Sequence, residues 1–189
     1  MNKENNFKNY HIRKWYYQID ETHANETGIL ADGGRIVRKI VVAAAILNPY
    51  AGKFSKDLSK IIDTFISTNK RVPTYEDFLS GKGIRYFYEV LSGGKGESLS
   101  GEEILDNKDL DENCTKTKDL LIYLLASYLR YVALVWGSTG GVYLSGSIVN
   151  SLITKETYQT FREVFEDSET MQDLLKAIPL ILVTINDIG

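Results

Sequence analysis

Residues 137–149, Gly-Ser-Thr-Gly-Gly-Val-Tyr-Leu-Ser-Gly-Ser-Ile-Val, place a three-residue apolar run between two glycine turns, with a helical pattern after them. At Gly140, Gly141 and Gly146 the backbone can adopt positive φ and approach a ligand closely, because these residues carry no Cβ. Strand-to-helix turns of this kind present unpaired N–H groups and the positive end of a helix dipole to a phosphate or a purine ribose. The segment predicts a short strand with either a nucleotide-binding turn or a plain tight turn.

The charge and composition of the chain limit the classes of molecule that it is expected to bind. The 189 residues include 22 basic and 25 acidic side chains, which give a net charge of −3 and no electrostatic footprint for nucleic acid or an anionic membrane. The single Cys114 excludes an intramolecular disulfide and fits a reducing, cytoplasmic compartment. Only His11 and His23 could join Cys114 as soft ligands, so no zinc site is expected. Small molecules and proteins are the expected partners.

The most apolar stretch of the chain lies at residues 119–136, and a membrane span is one interpretation of it. Arg130 near its centre would cost about 2.5–3.5 kcal/mol on insertion, and the stretch is at the short limit for a span. We therefore predict a helix buried in a protein core, with Thr117 as its N-cap and Gly137 as its stop. The polar N-terminus, at residues 1–7, is unlike a secretory signal.

The rest of the chain alternates between strand and helix patterns. Two segments rich in Ile, Val and Tyr, residues 11–20 and 35–47, are expected to pair as strands around the Asp-Gly-Gly turn at residues 32–34. Residues 55–66 form an amphipathic helix pattern that Ser55 would cap. The predicted later elements are a helix at 86–91 that stops at Gly93, an amphipathic helix with its apolar stripe at 158–165, and a buried strand at 180–184 after Pro179.

Between these elements, two segments have the pattern of a capping box, Thr74-x-x-Asp77 and Ser100-x-x-Glu103, which opens short helices. Residues 101–113 are acidic, and we expect them to be a solvated linker. Residues 93–98, Gly-Gly-Lys-Gly-Glu-Ser, are like a phosphate loop in composition only, and they are expected to be a surface loop.

Several motifs in one register carry a family resemblance. They are Leu-Ser-Gly-Lys-Gly-Ile at residues 79–84, Ala-Leu-Val-Trp-Gly at 133–137, Gly-Gly-Val-Tyr-Leu-Ser-Gly-Ser-Ile-Val at 140–149 and Ala-Ile-Pro-Leu at 177–180. Residues 71–189 thereby resemble the C-terminal part of a bacterial glucokinase. The resemblance implies an α/β fold, the C-terminal half of an actin-like (RNase H-like) sugar kinase, with ATP, Mg²⁺ and glucose as the family's cofactors and substrate. Gly140, Gly141, Gly146 and Ser147 would shape the adenosine site, although the family has Gly where this chain has Ser147.

The family's catalytic segments are not found at matching positions. These are an Asp-Gly-Gly-Thr phosphate loop, an Asn-Asp pair that carries the base, a Gly-Thr-Gly loop and a Glu-Gly-Gly-His sugar-binding segment. Asn186 and Asp187 imitate the catalytic pair but lie where the family ends its last core strand, and residues 32–35 read Asp-Gly-Gly-Arg with no apolar strand before them. The sequence therefore predicts no catalytic or metal-binding residue, and a chain that binds nucleotide but does not phosphorylate glucose alone.

The first third of the chain has a different resemblance. Residues 10–63, including Val-Val-Ala-Ala-Ala-Ile-Leu-Asn-Pro-Tyr-Ala-Gly at 41–52, resemble the N-terminal part of the bacterial amino acid synthesis family. We therefore expect an N-terminal β-hairpin plus helix at residues 1–66, followed by a glucokinase-like α/β domain at 67–189. Three hypotheses stay open: a sugar kinase, a non-catalytic nucleotide-binding or interaction module, and a small oligomeric protein of the amino acid synthesis type. A homo-oligomer is expected because a missing lobe would expose apolar surface.

Overall fold

The computed structural model describes residues 29–32, 35–38, 54–94, 99–106 and 111–183. Its first elements are β1 (Ile29–Asp32) and β2 (Arg35–Arg38), which pair antiparallel with Asp32 opposite Arg35. The predicted partner of residues 35–47, the segment 11–20, lies outside the described residues, so that pairing stays a prediction. Among the described residues, β2 pairs with β1.

The remaining described residues form two compact units. The helical unit comprises the described part of residues 54–125 together with 151–157, and the sheet unit comprises residues 126–150 and 158–183. The helices of the helical unit are α1 (Ser55–Asn69), α2 (Tyr75–Phe78), α3 (Gly81–Ser92), α4 (Gly101–Asp106) and the first half of α5 (Glu112–Trp136).

Apolar side chains at helical spacing build the core of the helical unit. On α1 the side chains of Leu58, Ile61, Ile62 and Phe65 are buried, as the pattern predicts, whereas Ile66, which the same pattern places on this face, is 37% exposed. An aromatic cluster closes the unit on one side: Phe78 contacts Phe87 edge-to-face at 4.9 Å between ring centroids, and it contacts Phe65 at 5.5 Å. These rings bury large apolar areas and fix the short helix α2 against α1 and α3.

Local capping sets where these helices begin and end. The predicted box at Thr74 and Asp77 is present, and the Ser80 hydroxyl caps α3 by accepting from Gly83 N at 3.1 Å. Helix α3 thus begins at Gly81, five residues earlier than the predicted 86–91, and it ends as predicted at Gly93 with φ of 68°. The N-cap position of α1 is Phe54, not the predicted Ser55.

Residues 101–106, the described part of the predicted linker before α5, form a helix and are not a solvated linker. The second predicted box is present: Ser100 N donates to Glu103 Oε2 at 2.7 Å, and Glu103 N donates to Ser100 Oγ at 3.2 Å. It opens α4, whose Ile104 and Leu105 are 1% and 2% exposed. The acidic residues of α4, Glu102, Glu103 and Asp106, are exposed on the opposite side of the helix, so the acidic composition did not reveal a helix that packs on the core.

Helix α5 begins five residues before the predicted cap Thr117, which lies buried inside the helix. Asp111 caps it instead, because Asp111 Oδ1 accepts from Asn113 N at 2.8 Å. The helix ends at Trp136 and Gly137 follows with φ of 59°, as predicted. Within the described residues, α5 is long and apolar enough to cross a membrane, but 56% of its apolar window is buried in the protein, as in a core helix.

The sheet unit contains a parallel pair of strands joined through helices. After the second half of α5 come β3 (Val142–Leu144), α6 (Ser147–Leu152, shared with the helical unit), α7 (Tyr158–Glu166), α8 (Gln172–Ala177) and β4 (Leu180–Leu182). Val142 lies opposite Leu180 and Leu144 opposite Leu182. Parallel pairing requires a crossover connection, and the helices between the strands provide it. Phe161 and Phe165 of α7 are fully buried, which confirms the predicted stripe.

Candidate functional site

The amino end of β3 is anchored on the residue before β4. Val142 N donates to Pro179 O at 2.8 Å. Gly141 has φ of 122°, and a Cβ at that position would lie 3.2 Å from Pro179 O and 3.4 Å from Ile181 Cδ1. Only glycine combines this backbone conformation with this close approach. Gly141 therefore uses its freedom to adopt positive φ.

Gly140 differs from its neighbour. It is not among the glycines with positive φ, and a Cβ there would meet no atom within 4 Å. Gly140 does not use its freedom to adopt positive φ, because the turn before β3 is completed at Gly141, where Gly141 N donates to Ser138 O at 3.2 Å. Two adjacent glycines in a sequence do not reveal which of them takes the unusual conformation.

The carboxyl end of β3 is open. Gly146 has a positive φ of 123°, and a Cβ there would meet nothing within 4 Å. Ser147 begins α6, and both residues are exposed. The strand between the two turns has three residues, and five residue steps separate Gly141 from Gly146, a span of at most about 16 Å at the rise of a strand. The structure thus brings Gly146 and Ser147 together at one end of β3 and Gly140 and Gly141 at the other.

One polar group at the carboxyl end was missed by sequence reasoning. Asn150 N donates to Gly146 O at 3.0 Å, and the side-chain Oδ1 of Asn150 is buried with no hydrogen-bond partner among the described residues. A buried acceptor left unpaired costs about 1–3 kcal/mol. An amide within α6 carries no sequence signal for such a role, so only the structure identifies it.

A separate groove lies in the helical unit. It has a volume of about 510 Å³, and its lining residues are Ser80, Gly81, Lys82, Arg85, Ser100 and Gly101. Two helices begin here, but both capping serines already accept backbone N–H groups of their own helices. At α4 the Glu103 carboxylate also accepts from Ser100 N, which lowers the pKa of Glu103 and places a negative charge at that helix start. The groove is therefore less suited to an anion than its basic side chains indicate.

The described residues offer little for acid–base or metal chemistry. Burial, together with the nearby Asp111 charge, raises the pKa of the Cys114 thiol, so this cysteine is a poor nucleophile. No group of three His, Cys, Asp or Glu side chains in the described ranges could hold a metal ion. Asn186 and Asp187 lie outside those ranges, as do His11 and His23.

The fold is shared with solved glucokinases. The structure of glucokinase from an Antarctic psychrotroph matches 85% of this chain with a TM-score of 0.60 at 21% identity, and 50% of that chain is covered. Glucokinase from Balamuthia mandrillaris, solved in complex with glucose, matches 83% of this chain with a TM-score of 0.65 at 18% identity and 46% coverage of its own length. The α/β architecture is thus that of part of a sugar kinase.

Sequence comparison defines the family more closely. The glucokinase family model matches residues 52–189, and the amino acid synthesis family model matches residues 12–72. Glucokinase from Nitrobacter hamburgensis is 33% identical over 115 residues, which are 57% of this chain and 35% of that protein. Glucokinase from Colwellia psychrerythraea is 31% identical over 136 residues, 66% of this chain and 41% of that protein. The chain belongs to the glucokinase family and spans between a third and a half of the relatives it matches.

Proposed function

We propose that this chain is a nucleotide-binding polypeptide of the glucokinase family that binds ATP or ADP at the carboxyl end of β3 and does not phosphorylate glucose by itself. Family membership supports nucleotide as the ligand class. Open α/β sheets bind their ligands outside the carboxyl ends of parallel strands, and β3 ends at Leu144, directly before the open turn.

The observation that carries the proposal is the geometry of Gly146. Its φ of 123° and the empty space beside its Cα leave the backbone exposed at a point where a ligand can approach. Ser147, which is exposed at the start of α6, extends this surface with a hydroxyl group. Gly141 acts from the other end of β3, where its close approach to Pro179 sets the position of the strand, and Gly140 adjoins it.

Calorimetry with ATP and ADP tests this site. We expect the parent chain to bind both nucleotides. Gly146→Ala should weaken this binding by more than the loss of stability of the variant explains. Ser147→Gly should bind more tightly, because it restores the glycine pair of the resemblance. Gly140→Ala is the matched control, since its Cβ meets open space. No heat of binding from the parent, together with no gain from Ser147→Gly, would leave the segment as a structural turn.

The second half of the proposal concerns phosphoryl transfer. The catalytic base, both phosphate loops and the sugar-binding segment expected from the resemblance are not found in the 189 residues. A positioned base alone contributes about 10²–10⁴-fold, and loops and Mg²⁺ neutralise the developing charge. In a coupled assay with ATP, Mg²⁺ and glucose we expect no glucose 6-phosphate. Formation of glucose 6-phosphate by the parent chain, abolished in Gly146→Ala, would refute the proposal that the chain does not phosphorylate glucose by itself.

Self-association is the second proposal, and exposed side chains favour it. Tyr131 and Val135 lie one turn apart on α5, and each is 61% exposed. Such apolar pairs are common where a partner surface packs. We propose a symmetric homodimer in the cytoplasm, with a non-catalytic interaction role as the alternative function. Sedimentation of the full chain should show a species above 21.4 kDa that Tyr131→Lys reduces. A monomer at high concentration would exclude it.

A further inference from the structure

Arg162 is a buried arginine that no part of the proposed nucleotide site contacts. It lies on α7, is 6% exposed and forms an ion pair with Glu166 one turn later. Its Nη1 donates to Ile178 O at 2.8 Å, and its Nη2 donates to Leu175 O at 3.1 Å and Lys176 O at 2.8 Å. A buried charge is tolerated only when it is paired and hydrogen-bonded, and here the guanidinium is held on both sides.

The three carbonyls belong to one short segment, the end of α8 and its connection to β4. The last carbonyls of a helix lack partners within the helix, and a cation at that end also interacts favourably with the helix dipole. Arg162 therefore fixes the backbone up to Ile178. The next residue is Pro179, whose carbonyl oxygen accepts from Val142 N and lies 3.2 Å from the position of a Cβ on Gly141.

A continuous set of contacts thus runs from Arg162 through Ile178 and Pro179 to the start of β3. Few bonds hold a three-residue strand in register, so its position depends on where Pro179 lies. At the other end, Leu144 O accepts from Val183 N at 2.7 Å and leads directly into the turn at Gly146. A movement of the segment at residues 175–179 would move β3 and both of its turns.

We propose that Arg162 is the positioning residue for β3, and that it sets the conformation of the Gly141 turn and, through the strand, that of the Gly146 turn. The nucleotide part of this inference rests on the proposed function, whereas the effect on the Gly141 turn does not. The forked guanidinium is required, because a lysine ammonium is a single point charge and cannot span three carbonyls in fixed geometry.

A matched control exists in the same unit. Arg130 of α5 also binds carbonyls at a helix end, donating through Nη1 to Val164 O at 3.0 Å and to Asp167 O. Neither of those residues adjoins a strand. Arg130→Lys and Arg162→Lys therefore each replace a guanidinium that binds carbonyls at the end of a helix, and only Arg162→Lys acts next to β4.

The experiment measures backbone amide resonances of the ligand-free protein and the Kd for ADP in the parent and both lysine variants. We expect Arg162→Lys to shift the amide signals of Gly141, Val142 and Gly146 and to weaken ADP binding roughly threefold or more, the range typical of coupled neighbouring residues. Arg130→Lys should leave those signals and the Kd unchanged. If Arg162→Lys does not fold, Glu166→Gln, which weakens the hold on the guanidinium, should shift the same signals.

Two outcomes separate this inference from the proposed function. In the first, the parent fails to bind ADP while Arg162→Lys, and not Arg130→Lys, shifts the amide signals of Gly141 and Val142. In that case the nucleotide proposal fails and the positioning role of Arg162 stands. If the two lysine variants give the same signals for Gly141 and Val142 and the same Kd, Arg162 only stabilises the unit and the inference is overturned. A purely structural role would lower the midpoint of urea unfolding without moving these three amides selectively.

Discussion

Gly141→Ala is the substitution for which the structure predicts the sharpest effect. The φ of 122° at Gly141 is a conformation that residues with a Cβ rarely adopt. The added methyl would also lie 3.2 Å from Pro179 O, closer than ordinary contact, and 3.4 Å from Ile181 Cδ1, at the limit of ordinary contact. The substitution therefore perturbs both the turn and the first hydrogen bond of the parallel strand pair.

The expected loss of stability combines two contributions. A non-glycine residue held in a sparsely populated backbone region costs about 1–3 kcal/mol. Crowding of the new methyl against a backbone oxygen and a buried side chain adds about 1 kcal/mol, at the lower end of the range for overpacking. The sum is about 2–4 kcal/mol, a large share of the stability of a domain of this size.

Urea unfolding of Gly141→Ala and Gly140→Ala measures this difference within one dipeptide. Gly140→Ala should change the free energy of unfolding by less than about 0.5 kcal/mol, or raise it slightly by restricting the unfolded chain. The two variants should therefore differ by at least about 1.5 kcal/mol with equal m-values. Equal losses in both variants, or a larger loss at Gly140, would refute the assignment of the turn to Gly141.

Two further predictions concern the helical unit. Gly83→Ala should prevent folding or lower the free energy of unfolding by more than about 3 kcal/mol, because its Cβ would lie 2.5 Å from Asp77 O and closer still to Phe78 O. Gly81→Ala is the control and should be tolerated, because its Cβ meets open space. Thermal unfolding compares them, and similar midpoints would contradict the packing of α2 on α3. The Arg71 guanidinium and Thr74 hold the pKa of Asp77 at about 2, below the ordinary 3.8, so the ionised carboxylate stabilises the fold above pH 4. Asp77→Asn should lower the free energy of unfolding by about 1 kcal/mol at pH 7, after allowance for the exposure of Arg71. This difference between parent and variant should vanish as the pH falls from 4 to 2. A difference that does not change with pH would exclude the ion pair as its cause.

Local patterns predicted much of the secondary structure. The apolar spacing on α1, the glycine stops of α3 and α5 and the short strand β3 between glycine turns all follow from residues within one or two turns of each other. The α/β class and the family also follow, because several motifs occur in one register. These features depend on residues that are close to one another along the chain, and the sequence shows such neighbours directly.

The features that escaped prediction depend on contacts made through space. Ile104 and Leu105 are buried although the segment around them is acidic, because only two side chains per turn need to face the core. The carbonyls that Arg162 binds are 13 to 16 residues away in the chain, so nothing in its own helix indicates its role. Similarly, Gly140 and Gly141 are equivalent in the sequence and become different only when Pro179 lies against one of them.

The central claim is that this member of the glucokinase family binds nucleotide at the carboxyl end of β3. Amide resonances recorded during a titration of the full chain with ADP test it most directly, because they locate the ligand as well as detect it. We predict saturable shifts centred on Gly146, Ser147 and Asn150, with Gly83 in the helical unit unaffected. No saturable shift, or shifts that exclude Gly146 and Ser147, would contradict the account.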